Sequence, residues 1–207
     1  MRTLAVDPED PSGPTLDQAL GVLATGGLLI YPTDTFYALG GLASSPRVAL
    51  RVREAKGRPE GKALPLIVGN LEQAMGLAAI WPPAAERLAR RFWPGPLSLV
   101  VGARPGLPEP LLGGASSLAL RVPGRGLPRR LALAAGPLIS TSANRSGEPA
   151  PVTCGEAVAS VGSLADLALD GGPGKPLPST IVDLTGPQPR LLRAGVVAWD
   201  DVLSALG

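Results

Sequence analysis

Polar side chains gather at four places in this 207-residue sequence, and each has the composition of a ligand site. In the first, Tyr31-Pro32-Thr33-Asp34-Thr35-Phe36-Tyr37, two hydroxyls and a carboxylate fall within three residues. Such a group can bind a small polar substrate, help hold a metal ion, or simply satisfy the backbone of a turn. The second, Glu54-Ala55-Lys56-Gly57-Arg58-Pro59-Glu60-Gly61-Lys62, has three cations in seven residues, with glycines that let backbone approach a ligand. Cations also suit a helix C-terminus on electrostatic grounds alone. The GxxxxGK[ST] spacing of a P-loop is missing, so any phosphate site here is of another kind. The third, Ser140-Thr141-Ser142-Ala143-Asn144-Arg145-Ser146-Gly147, follows the apolar Pro137-Leu138-Ile139. Its hydroxyls and backbone N–H groups can cradle phosphate oxygens, although serine-rich turns also arise for local reasons. The fourth is dispersed: Ser117 and Arg121 in SLALRVP, Ser179-Thr180, and Arg193 in LLRAG. Ser117 and Arg121 share one face if the segment is a strand. An arginine in so apolar a strand needs a partner, either a ligand carboxylate or an interior acid such as Asp183.

Composition narrows the chemistry. There is no histidine, which removes histidine acid–base catalysis, Ser–His and Cys–His nucleophilic pairs, and histidine-containing metal sites. A single cysteine, Cys154, precludes an intramolecular disulfide and a cysteine-only zinc site, and reads as a small buried hydrophobe. Nearly all cations are arginines; Lys56, Lys62 and Lys175 are the lysines. Arginine favours planar, bidentate contacts with phosphate or carboxylate. A formal charge of +2 does not announce a nucleic-acid binder. The start MRTLAVDPEDPSG lacks an apolar stretch behind a basic flank, and no run approaches the roughly 20 apolar residues of a membrane span. A cytoplasmic protein is expected.

The elements that must position these clusters alternate. Short strands are expected at Leu4–Val6, Leu28–Tyr31, Leu64–Val68, Leu97–Gly102, Leu118–Val122, Leu138–Ser140, Leu167–Leu169, Thr180–Leu184 and Arg190–Leu192. Between them, helices are expected from Thr15 to about Thr25 with a Thr15/Gln18 capping box, and from Pro46 to about Ala55. Further helices are expected from Leu71 to about Ala79 after an Asn70 cap, and from Pro82-Pro83 to near Phe92. Others run around Leu127–Ala135, from a Thr153/Glu156 cap to near Val161, and from Trp199 to Leu206. Alternation of this kind implies a single three-layer α/β domain, a twisted mixed parallel/antiparallel sheet flanked by helices. In such sheets ligands sit where strands meet loops.

Taken together and in order, the clusters resemble the YrdC/Sua5 family, the threonylcarbamoyl-AMP synthases. PTDTFYALG is similar to the family's PT[DE]TxYGLG. KGRP with Lys62 and LPLIV is similar to its KxRP…K/N…PLIV, and STSANRSGEP to its SANxSGxP turn. STIVDL and LLRAG match its late segments. The resemblance runs from about Gly13 to Gly195. It implies a single catalytic domain over residues 1–207 of the short YrdC type, without the second domain of the longer Sua5 type. The reaction it implies takes L-threonine, bicarbonate or CO2, and ATP to L-threonylcarbamoyladenylate and pyrophosphate, with Mg2+ accompanying ATP. The product would serve the tRNA threonylcarbamoyltransferase machinery that makes N6-threonylcarbamoyladenosine at position 37. Matching positions would place Thr33, Thr35, Arg121, Ser140 and Ser179 against threonine. Lys56, Arg58, Lys62, Ser117, Ser142, Asn144 and Arg193 would lie against ATP, with Lys56 and Arg58 stabilising charge. Two departures stand out: Gly69 occupies a position where some members carry a histidine, and Lys62 one where some carry asparagine.

That chemistry suits the residues. The neutral amine of threonine meets CO2, and the carbamate oxygen attacks the α-phosphorus as pyrophosphate leaves. No side-chain nucleophile is needed, so catalysis rests on positioning and on cations that offset phosphate charge. Two rivals compete with it. One is an arginine-rich RNA groove, suggested by Arg125, Arg129 and Arg130 but short of aromatic stacking residues. The other is a related carbamoyl-adenylate former acting on a different acceptor.

Overall fold

Two mixed sheets, between which the chain passes three times, position the polar clusters. The computed structural model describes residues 1–56 and 61–207. The chain opens with β1 (Arg2–Ala5) and α1 (Gly13–Ala24). The expected Thr15/Gln18 capping box does not form. Ser12 is the N-cap and Pro14 takes the first turn, where a missing N–H costs nothing, so the helix starts two residues earlier. Thr15 Oγ1 donates instead to Ala5 O at 3.5 Å, and Gln18 Nε2 to Pro14 O at 3.3 Å.

A hairpin follows, β2 (Leu29–Pro32) and β3 (Tyr37–Gly40), in register from Leu29↔Gly40 to Pro32↔Tyr37. The first polar cluster is the tip of this hairpin. Next come α2 (Pro46–Lys56), the two-residue β4 (Leu66–Ile67) and α3 (Leu71–Met75). Asn70 caps α3 as expected, its side chain accepting from the Gln73 amide at 2.9 Å, but the helix stops well short of Ala79. After α4 (Pro83–Phe92), β5 (Leu97–Gly102) has the bounds its sequence predicts. Then follow α5 (Glu109–Leu112), which no local pattern signalled, β6 (Ser117–Arg121) and α6 (Gly126–Ala135). Two-residue strands β7 (Leu138–Ile139) and β8 (Thr141–Ser142) precede α7 (Cys154–Val161), which carries the predicted Thr153/Glu156 capping box. The chain continues through β9 (Leu167–Asp170), β10 (Thr180–Asp183), β11 (Arg190–Arg193) and α8 (Trp199–Ser204).

Hydrogen bonding orders the strands as β1-β9-β2-β3-β8 and β11-β10-β5-β6-β4-β7. The expected mixture of parallel and antiparallel pairs is present in both ladders: β1/β9 and β10/β5 are parallel, β2/β3 and β5/β6 antiparallel. Strands β7 and β8 belong to different sheets with only Ser140 between them, so the chain changes sheet at that residue. The crossing is tight. A Cβ on Gly40 would lie 1.6 Å from Ile139 O, which only glycine avoids.

One apolar cluster unites both sheets. Ile30, Tyr37, Leu39 and Ala168 of the first pack with Leu66, Leu97, Leu99, Leu120 and Val182 of the second, together with Val48 and Val52 of α2. A second cluster packs α1 and α6 on the outer face of the first sheet, through Leu23, Leu127 and Leu131 against Leu29, Tyr31 and Leu169. Leu, Val, Ile and Ala fill these cores, as the shortage of aromatics requires. Cys154 is buried and free, and burial pushes its thiol pKa up to about 11, which keeps it a neutral packing residue near neutral pH.

Candidate active site

Where the sheets diverge, a cleft of about 440 Å³ opens, within the usual range of small-molecule sites. Its apolar floor includes Leu66, Ile67, Ala119 and Ile181, and three polar groups stand around it.

The hairpin tip forms the first. Thr33 Oγ1 donates to Phe36 O at 2.7 Å and accepts from the Thr35 amide at 3.1 Å. With that proton committed, Thr35 is the donor in the 3.0 Å contact between the two hydroxyls. Thr35 Oγ1 also accepts from Arg121 Nη1 at 3.4 Å. Arg121 ends β6, is 7% exposed, and donates through Nε to Gly95 O at 3.1 Å. Its acid partner is Asp34 Oδ1, from the hairpin tip. Asp183, suggested by sequence as that partner, instead accepts from Arg190 Nη2 at 2.8 Å, because its side chain faces the β11 edge. Burial lowers the Arg121 pKa to about 10, with Arg193 adding repulsion, and the guanidinium stays charged at neutral pH.

The second group lies across the floor. Arg193 Nε and Nη2 donate to Ser179 O at 3.0 and 2.8 Å, and Nη2 also reaches Ser179 Oγ at 2.9 Å. Ser179 Oγ is in turn 3.0 Å from Ser98 Oγ. Burial lowers the Arg193 pKa, and among the described residues no carboxylate pairs with it. Gly195 makes the approach possible, since a Cβ there would come within 2.4 Å of Pro178 O.

The third group is the loop after β8. Lys56, at the end of α2 and 7% exposed, donates to Ser142 O at 2.9 Å, Asn144 O at 2.5 Å and Asn144 Oδ1 at 2.8 Å. Asn144 Nδ2 donates to Glu148 O at 2.6 Å, and Ser146 Oγ donates to Lys56 O. These bonds tie the lysine to protein oxygens. It shapes the loop and supplies positive charge beneath the backbone that faces the cleft.

Of the residues singled out by sequence, Thr33, Thr35, Lys56, Arg121, Ser140, Ser142, Asn144, Ser179 and Arg193 all line this cleft. Ser117 shares the face of Ala119 and Arg121 but sits outside the lining, at the far end of β6. Lys62 is exposed, and its carbonyl accepts from Arg53 Nη2 at 2.7 Å. Arg58 lies outside the described residues. Gly69 faces away: a Cβ there would meet Leu133 Cγ at 2.4 Å, and its amide donates to Gln73 Oε1 at 2.8 Å. Sequence reasoning missed Ser98 and the structural role of Ser146. Ser98 was visible only as a lone hydroxyl in the apolar run of β5.

Such a site can bind two anionic groups and orient hydroxyl-bearing ligands. The described residues contain no cluster of three or more acids or cysteines able to cage a metal ion, and Asp34 is engaged by Arg121. A protein-built magnesium cage therefore does not fit these residues, and a metal would have to arrive with phosphate oxygens.

Comparison with known proteins identifies the family of the chain. The family model described as telomere recombination, which covers Sua5, YciO and YrdC, matches residues 21–195. A threonylcarbamoyl-AMP synthase of Chromohalobacter salexigens is 39% identical over 170 residues, covering 80% of this chain and 90% of its own. The threonylcarbamoyl-AMP synthase of Pyrococcus abyssi is 35% identical over 191 residues, 91% of this chain and 56% of that protein. The crystal structure of P. abyssi Sua5 complexed with L-threonine superposes with a TM-score of 0.93 at 33% identity, over 99% of this chain and 61% of that one. The chain thus spans little more than half the length of its Pyrococcus relative.

Proposed function

Since the chain belongs to the Sua5/YciO/YrdC family, we propose that its cleft makes L-threonylcarbamoyladenylate and pyrophosphate from L-threonine, bicarbonate or CO2, and ATP. One observation carries the reading: two arginines, Arg121 and Arg193, face one floor from opposite sides, each against its own set of hydroxyls. That suits two anionic substrates held side by side.

The threonine carboxylate lies by Arg121, with Thr33, Thr35, Ser140 and Ser179 around the amino acid. Arg121 is already charged and buried, so it binds a carboxylate without the water that weakens such contacts at a surface. The nucleotide lies by Arg193 and the Ser142–Asn144 backbone. Lys56 fixes that backbone, Arg58 and Lys62 add charge from the segment after α2, and Ser117 extends the same face outward. Magnesium bound to the triphosphate would add charge neutralisation there. In the reaction the neutral amine of threonine adds to CO2 and loses a proton, giving a carbamate. A carbamate oxygen then bonds to the α-phosphorus as the bond to the β-phosphate oxygen breaks and pyrophosphate departs. With no histidine in the chain, the residues contribute by alignment and fixed positive charge. Downstream, the adenylate passes to the tRNA threonylcarbamoyltransferase machinery.

Pyrophosphate release tests this. ATP should be converted only when threonine and bicarbonate are both supplied, and full turnover without threonine overturns the reading.

A further inference from the structure

The hydroxyl of Ser98 belongs to neither group of residues that sequence motifs single out, yet it lines the cleft. Register fixes its place. Ile181 of β10 pairs with Ser98 on one side and with Arg193 on the other. The β5/β6 register runs from Gly102↔Ser117 to Leu99↔Leu120, and Ser98 and Arg121 are the next residue on each strand. Arg193, Ile181 and Ser98 thus lie in one transverse row, and Arg121 lines the same cleft from the neighbouring strand.

Within that row the hydroxyls form a chain with little freedom. Ser179 Oγ accepts from Arg193 Nη2 at 2.9 Å and meets Ser98 Oγ at 3.0 Å. Among the described residues Ser98 Oγ has no other partner, and Ser98 is 9% exposed. Two hydroxyls sharing one bond leave one proton over. If Ser179 donates to Ser98, the Ser98 proton is free to meet a ligand; if Ser98 donates, the free proton is on Ser179. In both arrangements Ser179 Oγ accepts from Arg193 Nη2, so the two differ in the direction of the hydroxyl and not in its partner.

We propose that Ser98 is a positioning residue that couples the two halves of the cleft, so that amino acid bound beside Arg121 and Ser179 fixes the direction of the Ser98–Ser179 bond and thereby the Arg193 guanidinium that faces the nucleotide, and the reverse. The proposal rests on the reading of the cleft as a threonine and ATP site. Coupling of this kind is reciprocal, because each ligand changes the affinity of the other by the same factor.

Calorimetric titration of threonine, alone and with saturating α,β-methylene-ATP, provides the test. The wild-type protein should bind threonine about tenfold more tightly with the analogue present, inside the usual range for coupled sites. Ser98→Ala and the near-isosteric Ser98→Cys should each reduce that ratio to below about threefold, whatever their effect on the affinity for either ligand alone. Ser98→Thr, which restores the hydroxyl in a residue that strands favour, should recover it. A wild-type ratio near one, or Ser98→Cys with the full wild-type ratio, overturns the coupling. A wild-type protein that binds no threonine overturns the reading of the site itself, which separates the two failures.

Discussion

Arg121 and Asp34 form the most enclosed ion pair among the described residues, with side chains 9% and 16% exposed. Removing one member of such a pair strands the other's charge away from water. Asp34→Ala should lower the unfolding free energy by about 3–5 kcal/mol, measured by urea denaturation, and raise the KM for threonine through the loosened Arg121. Unchanged stability would mean that water reaches the pair. Lys56 makes a different prediction. Its three acceptors are arranged around a rotatable ammonium, and a planar guanidinium cannot reproduce that geometry. Lys56→Ala and Lys56→Arg should therefore both lose about a hundredfold in kcat/KM for ATP, as misplaced loops do, with far-UV circular dichroism unchanged. The sequence singled out Lys56 as a cation placed to meet phosphate. Its bonds to Ser142 and Asn144, some 86 and 88 residues away, lay beyond any local pattern.

Elements were legible in proportion to how locally they are determined. β5 and the cap of α7 follow from a self-contained apolar run and from a Thr153/Glu156 pair that bond only each other and adjacent backbone. Strands β4 and β7 fall inside the predicted apolar runs but are trimmed to two residues each, whereas β8 is two residues long and exists because the distant β3 pairs with it, Ala38 opposite Ser142. The Thr15/Gln18 pattern misled because Pro14 lets the helix begin earlier. For α7, Thr153→Ala should cost about 0.5–2 kcal/mol without altering kcat, since the cap lies away from the cleft. At the β10 end, Gly195→Ala should depress activity as well as stability, because the added methyl meets the backbone around Ser179 that positions Arg193. Retention of full activity would show that the crossing can relax.

At the scale of the molecule, the core that joins both sheets predicts a single cooperative unfolding transition. Ligands should raise it as one unit, by about 2.7 kcal/mol at a free concentration one hundred times the dissociation constant. A two-step melt would contradict the shared core. Acid stability has a defined sign. The Glu148 carboxyl is held below its ordinary value of 4.5 by the Ser160 hydroxyl, and that of Glu156 by the Val152 and Thr153 amides. Between the folded and ordinary values the unfolded chain binds more protons. Their contribution is thus complete above pH 4.5 and is lost as pH falls through the lower folded values. The arginines that suggested an RNA groove are partly spoken for: Arg125 pairs with Glu9 at 3.3 Å and Arg130 with Asp10 at 3.4 Å, pinning the N-terminal segment to α6. Binding to tRNA in the absence of other proteins should accordingly be weak, with a shallow dependence on salt.

The enclosure of Lys56 also supplies a reporter. Of the three lysines, Lys62 and Lys175 are open to solvent, whereas the amine of Lys56 is shut behind the Ser142–Ser146 loop. An amine-selective acetylating reagent should modify the first two within its ordinary reaction time and reach the third only when that loop lifts. The mass-spectrometric ratio of slow to fast modification then counts loop openings in the intact protein, and nucleotide that seals the loop should slow the count.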